Sequence, residues 1–225
     1  MPPREVNPPH RARVAPDVAP LRFPPDSSTF FPAMRRSVAL LLFPEVEVLD
    51  FAGPFEVFSV ADELSDHTAF AVSIVAATPT IKARNGLRVV ADHTLESCPH
   101  VDILIVPGGF GTRALLHQPE ILAWVRSRAS SAERVMSVCT GSLVLAKAGL
   151  LDGLRITTHH QVLPMLTELA PRSTVDPTRR FHDNGHLLTA AGISAGIDCA
   201  LHLVGQLRGE EMAEKTADYM EYRRA

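Results

Sequence analysis

The chain lacks the sequence features of several protein classes. Its three cysteines, Cys98, Cys139 and Cys199, are odd in number and far apart, so neither a disulfide framework nor a zinc ribbon is predicted. Lysine and arginine number 22 against 25 aspartate and glutamate residues, which gives no basic surface for nucleic acid. No apolar run approaches the roughly 18 residues of a membrane span. We therefore expect a cytoplasmic protein with reduced thiols and with neither a nucleic-acid nor a membrane partner.

Fingerprints of common nucleotide and hydrolase sites are also missing. The sequence contains no G-x-S-x-G, Walker or dinucleotide-binding motif. His182 and His186 are four residues apart, but the Asp183-Asn184-Gly185 turn between them argues against a shared helical face, so no metal site is predicted. The chain is 46% hydrophobic and 21% charged, which is typical of a globular domain.

Proline divides the 225 residues into a tail and a core. Nine of the 18 prolines lie in residues 1–34, which contain no glycine, and this density sustains neither a helix nor a sheet ladder. We predict a disordered proline-rich tail over residues 1–34 and one domain over residues 35–225. A binding arm for an SH3-type partner is the functional alternative, and a translation start annotated upstream of Met34 explains the tail more simply.

The core alternates aliphatic strand patterns with amphipathic helix patterns. Such alternation predicts an α/β fold with three layers, in which helices cover both faces of a mostly parallel sheet. Turn signals at Asn85-Gly86 and at residues 183–185 predict two hairpins. Strands are predicted over 37–43, 70–77, 102–106, 134–138, 154–157 and 186–190, and helices over 54–64, from 119, up to 148, over 161–169, 195–207 and 209–219.

A cysteine marks the point where one predicted strand gives way to a helix, in Ser137-Val138-Cys139-Thr140-Gly141-Ser142. Ligands in open α/β sheets bind beyond the carboxyl ends of the strands, so this thiol lies on the functional edge. The N–H groups and partial positive charge of a helix N-terminus favour a thiolate and lower the thiol pKa. An inert buried thiol is the alternative, but the turn favours a reactive Cys139. Cys98 and Cys199 are predicted to be structural.

Two further segments are expected on the same edge. Pro107-Gly108-Gly109 ends the preceding strand, and its free N–H groups, with that of Thr140, are expected to form an oxyanion-type pocket facing the sulfur. Asp50 follows the first strand, where capping of a helix that opens at Pro54 is one interpretation. Beside a catalytic sulfur, a partly buried acid would instead have a raised pKa and exchange protons near neutral pH.

These motifs resemble those of the PfpI-like, class I glutamine-amidotransferase-like superfamily, and within it the isocyanide hydratase branch. The resemblance extends over residues 37–219. The segments that carry it are Leu42-Phe43-Pro44-Glu45-Val46, Leu49-Asp50, Gly53-Pro54, Pro107-Gly108-Gly109, residues 137–145, Gly149-Leu150-Leu151, Thr157-Thr158-His159 and Ala195-Gly196-Ile197-Asp198.

The resemblance implies a flavodoxin-like fold and a small-molecule substrate. It implies Cys139 as nucleophile, Asp50 as the acid and Thr140 as a hydroxyl beside the nucleophile, with no metal or organic cofactor. Protease-like relatives place a histidine directly after the cysteine, and Thr140 stands there in this chain. A homodimer is also implied, and the apolar side of the terminal helix, with Met212 and Met220, suits docking on the core or on a second subunit.

The resemblance leaves two other functions open beside isocyanide hydration. His159 matches a histidine of glyoxalase- or deglycase-like relatives, and His160 stands where a bulky aromatic is expected in the hydratase branch. The superfamily also supplies ligand-sensing domains to AraC-type regulators, but only 18 residues follow Leu207, too few for a helix-turn-helix region. The sequence therefore predicts cysteine-dependent hydration of isocyanides to N-substituted formamides, with a stand-alone sensor and a glyoxalase-like enzyme as alternatives.

Overall fold

The structure, a computed structural model, describes residues 35–224. The tail predicted over residues 1–34 lies outside this range. In chain order the strands of the described part are β1 (Arg36–Leu42), β2 (Phe70–Ala76), β3 (Thr80–Lys82), β4 (Arg88–Val90), β5 (His93–Thr94), β6 (Ile103–Val106), β7 (Arg134–Val138), β8 (Arg155–Ile156), β9 (Thr174–Val175), β10 (Phe181–Asp183) and β11 (Leu187–Ala190). The α-helices are α1 (Val48–Glu63), α2 (Thr112–Leu115), α3 (Pro119–Ser131), α4 (Gly141–Lys147), α5 (Leu163–Leu169), α6 (Ala195–Arg208) and α7 (Glu210–Tyr219).

A seven-stranded sheet in the order β10-β11-β7-β6-β1-β2-β5 forms the middle layer. All its neighbouring strands are parallel except the β10–β11 hairpin. Helices α1, α6 and α7 pack together in one outer layer, and α2, α3, α4 and α5 are linked through α4 in the other. Because both faces are covered, the central strands are aliphatic and fully buried, as in β6. The predicted three-layer, flavodoxin-like α/β class is confirmed.

Helix α1 begins earlier than its sequence pattern indicates. It starts at Val48 and keeps Pro54 inside it, although proline lacks the N–H that would bond to the carbonyl of Asp50 one turn earlier. The interpretation of Asp50 as a cap before a helix opening at Pro54 is therefore wrong. Asp50 instead lies in the first turn of α1, which carries its side chain toward the carboxyl ends of the strands.

The apolar side of α7 is used within the chain itself. Ala213, Thr216 and Ala217 are buried, and Met212 and Met220 pack partly buried against the same core. Helix α7 contacts α6 and α1. This stripe therefore needs no second subunit to cover it, and the homodimer stays a prediction that rests on the family resemblance.

Candidate active site

The candidate site lies where β1, β6 and β7 end side by side. Cys139 directly follows β7, and residues 107–109 directly follow β6. Asp50 lies in the first turn of α1, the helix that follows β1. Their positions agree with the predicted functional edge at the carboxyl ends of parallel strands.

Cys139 occupies a strained elbow between β7 and α4. Its φ is 55°, in the left-handed region that non-glycine residues rarely adopt. Its N–H donates to the carbonyls of Ala190 at 3.1 Å and Ala191 at 2.8 Å. Its own carbonyl accepts hydrogen bonds from Thr158 Oγ1 at 2.8 Å and Ser142 Oγ at 3.2 Å. Strain of this kind persists where the surroundings fix the residue from several sides, and it is common at functional sites.

Asp50 is fully buried beside this elbow. Its Oδ2 accepts a hydrogen bond from the Gly108 N–H at 3.0 Å, whereas Oδ1 is buried without a hydrogen-bond partner among residues 35–224. Burial raises the pKa of Asp50 to about 7, and the nearby Gly108 N–H, Cys139 thiol and Ile193 N–H offset only part of that rise. The carboxyl can therefore hold or release a proton near neutral pH.

The predicted lowering of the Cys139 pKa is wrong for this environment. Burial raises the pKa of the thiol to about 12, and the negative charge of Asp50 adds to the rise. The N–H groups of Thr140 and Ile193 act in the opposite direction but are outweighed. Desolvation dominates because only 6% of Cys139 is exposed. Between about pH 7 and pH 12 the Asp50–Cys139 pair thus holds one proton and one negative charge.

Burial alone does not distinguish the three thiols. Cys98 is as buried as Cys139, and Cys199 is completely buried within α6. Burial raises the pKa of both these thiols as well. What distinguishes Cys139 is a titrating carboxyl beside the sulfur, together with two backbone N–H groups. Selective reactivity of Cys139 stays a prediction. It rests on the Asp50 carboxyl and the two N–H groups beside the sulfur, and not on a low thiol pKa.

The glycine turn positions side chains and does not offer free donors. The Gly108 N–H donates to Asp50, and the Gly109 N–H donates to Thr140 Oγ1 at 2.9 Å. The oxyanion pocket predicted from Gly108 and Gly109 is therefore wrong in this detail, because both N–H groups are already paired. Of the three predicted donors, the Thr140 N–H is the one that faces the Cys139 sulfur.

The Thr140 hydroxyl links the elbow to the glycine turn. It is buried, and besides accepting the Gly109 N–H it lies 3.0 Å from the Gly109 carbonyl oxygen, to which it donates. Thr112 Oγ1 lies 3.2 Å from the same hydroxyl. The hydroxyl donates its single hydrogen to Gly109 and so stabilises the glycine turn, and the same turn positions Asp50 through the Gly108 N–H.

Gly108 allows the close approach that this arrangement requires. A Cβ at this position would lie 2.5 Å from the Thr140 backbone nitrogen and 2.8 Å from Asp50 Oδ2. We predict that Gly108→Ala displaces Asp50 from the thiol and lowers turnover on the order of 10²-fold, because small misplacements of reacting groups are costly. Gly205→Ala within α6 is the control, since a Cβ there is crowded only by the far end of the flexible Glu210 side chain. Equal turnover for wild type and Gly108→Ala would contradict the close packing at this site.

His159 is half-buried and its side chain bonds to the neighbouring Gln161, not to Cys139 or Asp50. Its ring stacks on His160 with centroids 4.3 Å apart, and its Nδ1 accepts from the Gln161 N–H at 3.3 Å. The ring rests against Gly192, where a Cβ would come within 2.5 Å of it. Burial and the charges of His160 and Arg113 lower the pKa of His159. The ring is therefore neutral near pH 7.

Ile193 is a site residue that the sequence reasoning missed. It has φ 47°, an unusual conformation for a β-branched residue, and its N–H faces both Asp50 and Cys139. Ile193 is 37% exposed, although the two groups that its N–H faces are buried. No turn signal in the sequence marks an isoleucine for a left-handed conformation, so only the preceding Gly192 hinted at a break before α6.

The described part of the chain shows no feature that suggests a metal ion or a membrane span. Among residues 35–224, no three histidine, cysteine, aspartate or glutamate side chains are grouped to hold a metal ion. His182 and His186 instead bond to the carbonyls of Asp176 and Ala129. No helix in the same range has both the length and the apolar character needed to cross a bilayer.

Comparisons with known proteins show what this chain is similar to. A family model for the DJ-1/PfpI family matches residues 36–206. The isonitrile hydratase of Pseudomonas putida is 38% identical over 84% of this chain and 79% of its own length. The HTH-type transcriptional regulator GbdR of Pseudomonas aeruginosa is 30% identical over 84% of this chain but only 51% of its own length. The crystal structure of a THiJ/PfpI family protein from Pseudomonas syringae matches with a TM-score of 0.77 and 30% identity, covering 91% of this chain and 82% of that one.

Proposed function

Because the chain belongs to the DJ-1/PfpI family, we propose that it hydrates isocyanides to N-substituted formamides at Cys139. The observation that carries this proposal is the buried carboxyl of Asp50, which stands beside the thiol with one oxygen unpaired and with a pKa raised to about 7 by burial. Such a group can give a proton in one step and take one in the next. The 38% identity to an isonitrile hydratase supports the substrate class.

In the first step, the Cys139 sulfur bonds to the terminal carbon of the isocyanide. The one proton of the Asp50–Cys139 pair moves to the same carbon, so a thioimidate forms on the sulfur and Asp50 is left as a carboxylate. Attack requires the proton to reside on Asp50 and the charge on the sulfur. The Thr140 N–H favours this distribution because it stabilises the thiolate, whereas the Ile193 N–H stabilises both the thiolate and the Asp50 carboxylate.

In the second step, Asp50 takes a proton from water while the water oxygen bonds to the thioimidate carbon. The remaining water proton moves to the nitrogen, and a carbonyl forms as the carbon–sulfur bond breaks. The electron pair of that bond returns to the sulfur, so the products are the N-substituted formamide and the original pair with one proton. The net reaction therefore converts one isocyanide and one water into one formamide, and the enzyme is regenerated.

The remaining parts of the proposal concern the setting of the reaction. We propose a cytoplasmic location, because three unpaired thiols are typical of a reducing compartment. The functional form would be a homodimer that acts on a small molecule. Thr140 would act through the glycine turn, since its hydroxyl bonds to Gly109.

A substrate panel separates this proposal from the other two functions. Wild type and His159→Ala would each be incubated with aryl and alkyl isocyanides, methylglyoxal and a peptide. We expect formamide from the isocyanides with both proteins, because the His159 ring bonds to Gln161 and not to Cys139 or Asp50. Conversion of methylglyoxal alone, dependent on His159, would replace the proposal by a glyoxalase. Binding of a small ligand without turnover would replace it by the sensing role of the regulator relatives.

A further inference from the structure

The carbonyl of Cys139 is held by a hydroxyl that the proposed reaction does not otherwise use. Thr158 Oγ1 donates to this carbonyl at 2.8 Å, from a position 19 residues further along the chain. Thr158 is buried, with 2% of its surface exposed, so no bulk water competes for the contact. The Ser142 hydroxyl donates to the same oxygen at the longer distance of 3.2 Å, from within α4.

The peptide that Thr158 holds is the one whose N–H faces the nucleophile. A trans peptide is planar, and its carbonyl and N–H point in opposite directions. Anchoring the Cys139 carbonyl therefore fixes the direction of the Thr140 N–H, which faces the Cys139 sulfur. The anchor acts on a residue at φ 55°, a sparsely populated conformation that persists only where the surroundings hold the residue in place.

Thr158 is itself fixed by the sheet. It follows β8 and the neighbouring Thr157, whose N–H donates to Thr189 Oγ1 at 2.9 Å. Thr189 belongs to β11 and pairs in register with Ser137 of β7, two residues before the elbow. The strand that leads into Cys139 and the hydroxyl that holds its carbonyl are thus tied to the same neighbouring strand.

We infer that Thr158 is a positioning residue for the nucleophile: its hydroxyl holds the Cys139–Thr140 peptide in the orientation that directs the Thr140 N–H at the sulfur. Its effect on turnover rests on the proposed function, but its effect on the thiolate does not. The hydrogen bond that its side chain makes in the site goes to the Cys139 carbonyl, so Thr158 acts through this peptide.

The adjacent threonine supplies a matched control. Thr157 is as buried as Thr158, but its Oγ1 has no hydrogen-bond partner within residues 35–224. Replacing Thr157 by valine therefore removes a buried hydroxyl without removing a contact to Cys139. Replacing Thr158 by valine changes the same number of atoms and does remove that contact.

The test is the rate of Cys139 alkylation by iodoacetamide between pH 6 and pH 10, with peptide mapping to resolve the three cysteines. We expect Thr158→Val to react about threefold to tenfold more slowly than wild type at every pH in this range, as loss of one buried hydrogen bond allows. Thr158→Ser, which keeps the hydroxyl, should restore the wild-type rate, and Thr157→Val should match wild type. If Thr158→Val does not fold, Thr158→Ala against Thr158→Ser gives the same comparison.

Two results would overturn the inference. One is an alkylation rate for Thr158→Val equal to that of wild type at every pH. The other is a Thr158→Ser protein as slow as Thr158→Val, which would indicate a packing effect. Because alkylation needs no isocyanide, a wild type that hydrates no isocyanide would refute the proposed function and leave the role of Thr158 to be decided by these rates alone.

Discussion

Replacing Asp50 by asparagine should make the folded protein more stable above pH 7 and at the same time nearly inactive. Burial raises the pKa of this carboxyl from 3.8 to about 7, so between these values the folded state keeps a proton that the unfolded state releases. Stability therefore falls as pH rises through this window. The full cost, on the order of 4 kcal/mol, is present above about pH 7. Asparagine carries no charge and therefore avoids most of this cost of burying a carboxylate.

Thermal unfolding at pH 5 and pH 8 measures this effect. Asp50→Asn should unfold several degrees above wild type at pH 8, and the difference should shrink toward pH 4. Turnover should fall by about 10² to 10⁴-fold, the usual contribution of a general acid–base group. An Asp50→Asn protein less stable than wild type at pH 8 would show that the buried carboxylate does not destabilise the folded state.

Asp62 provides the matched control for the sign of this effect. It is also buried, but it bonds to Arg35 and to the N–H groups of Ala69 and Phe70. Together with His67, these contacts outweigh burial and lower the pKa of Asp62. A lowered pKa means that the carboxylate stabilises the folded state above pH 4 and loses that effect in acid. Asp62→Asn should therefore destabilise the protein at pH 8, opposite to Asp50→Asn.

Replacing Cys139 by serine should reduce isocyanide turnover to the background rate while the fold is kept. A serine hydroxyl beside Asp50 has no base strong enough to ionise it near neutral pH, so no covalent intermediate forms. The smaller oxygen fits the buried elbow, and unfolding should be little changed. Cys98→Ser is the control, because Cys98 is equally buried but lies outside the site. Comparable turnover by Cys139→Ser and wild type would show that Cys139 is not the nucleophile.

The fold could be predicted from sequence where the pattern is local. The aliphatic runs of β1, β6 and β7 stop at proline, glycine or a polar residue, so their ends were readable within a residue or two. The start of α1 was not, because Pro54 signals a helix beginning and only tertiary packing allows it inside one. The covering of α7 by its own chain likewise depends on contacts between distant elements.

The candidate site could be located from sequence, but its electrostatics could not. The strand-to-helix break at Cys139 and the glycine turn identified the right edge of the sheet. The direction of the Cys139 pKa was predicted from the helix N-terminus alone, whereas burial and the Asp50 charge outweigh it. The Cys139 thiol and the Asp50 carboxyl are buried by residues far apart in the chain, and local sequence patterns do not indicate such burial. Ile193 could not be predicted either, because it contributes a backbone N–H and its left-handed conformation has no signal in the sequence.

The most direct test of the central claim is to follow the formyl proton of the product by NMR when an isocyanide is mixed with catalytic amounts of wild type or Cys139→Ser. We predict a growing formamide signal with wild type and none above background with Cys139→Ser. No formamide from wild type with any aryl or alkyl isocyanide, or equal formamide from both proteins, would contradict cysteine-dependent hydration at this site.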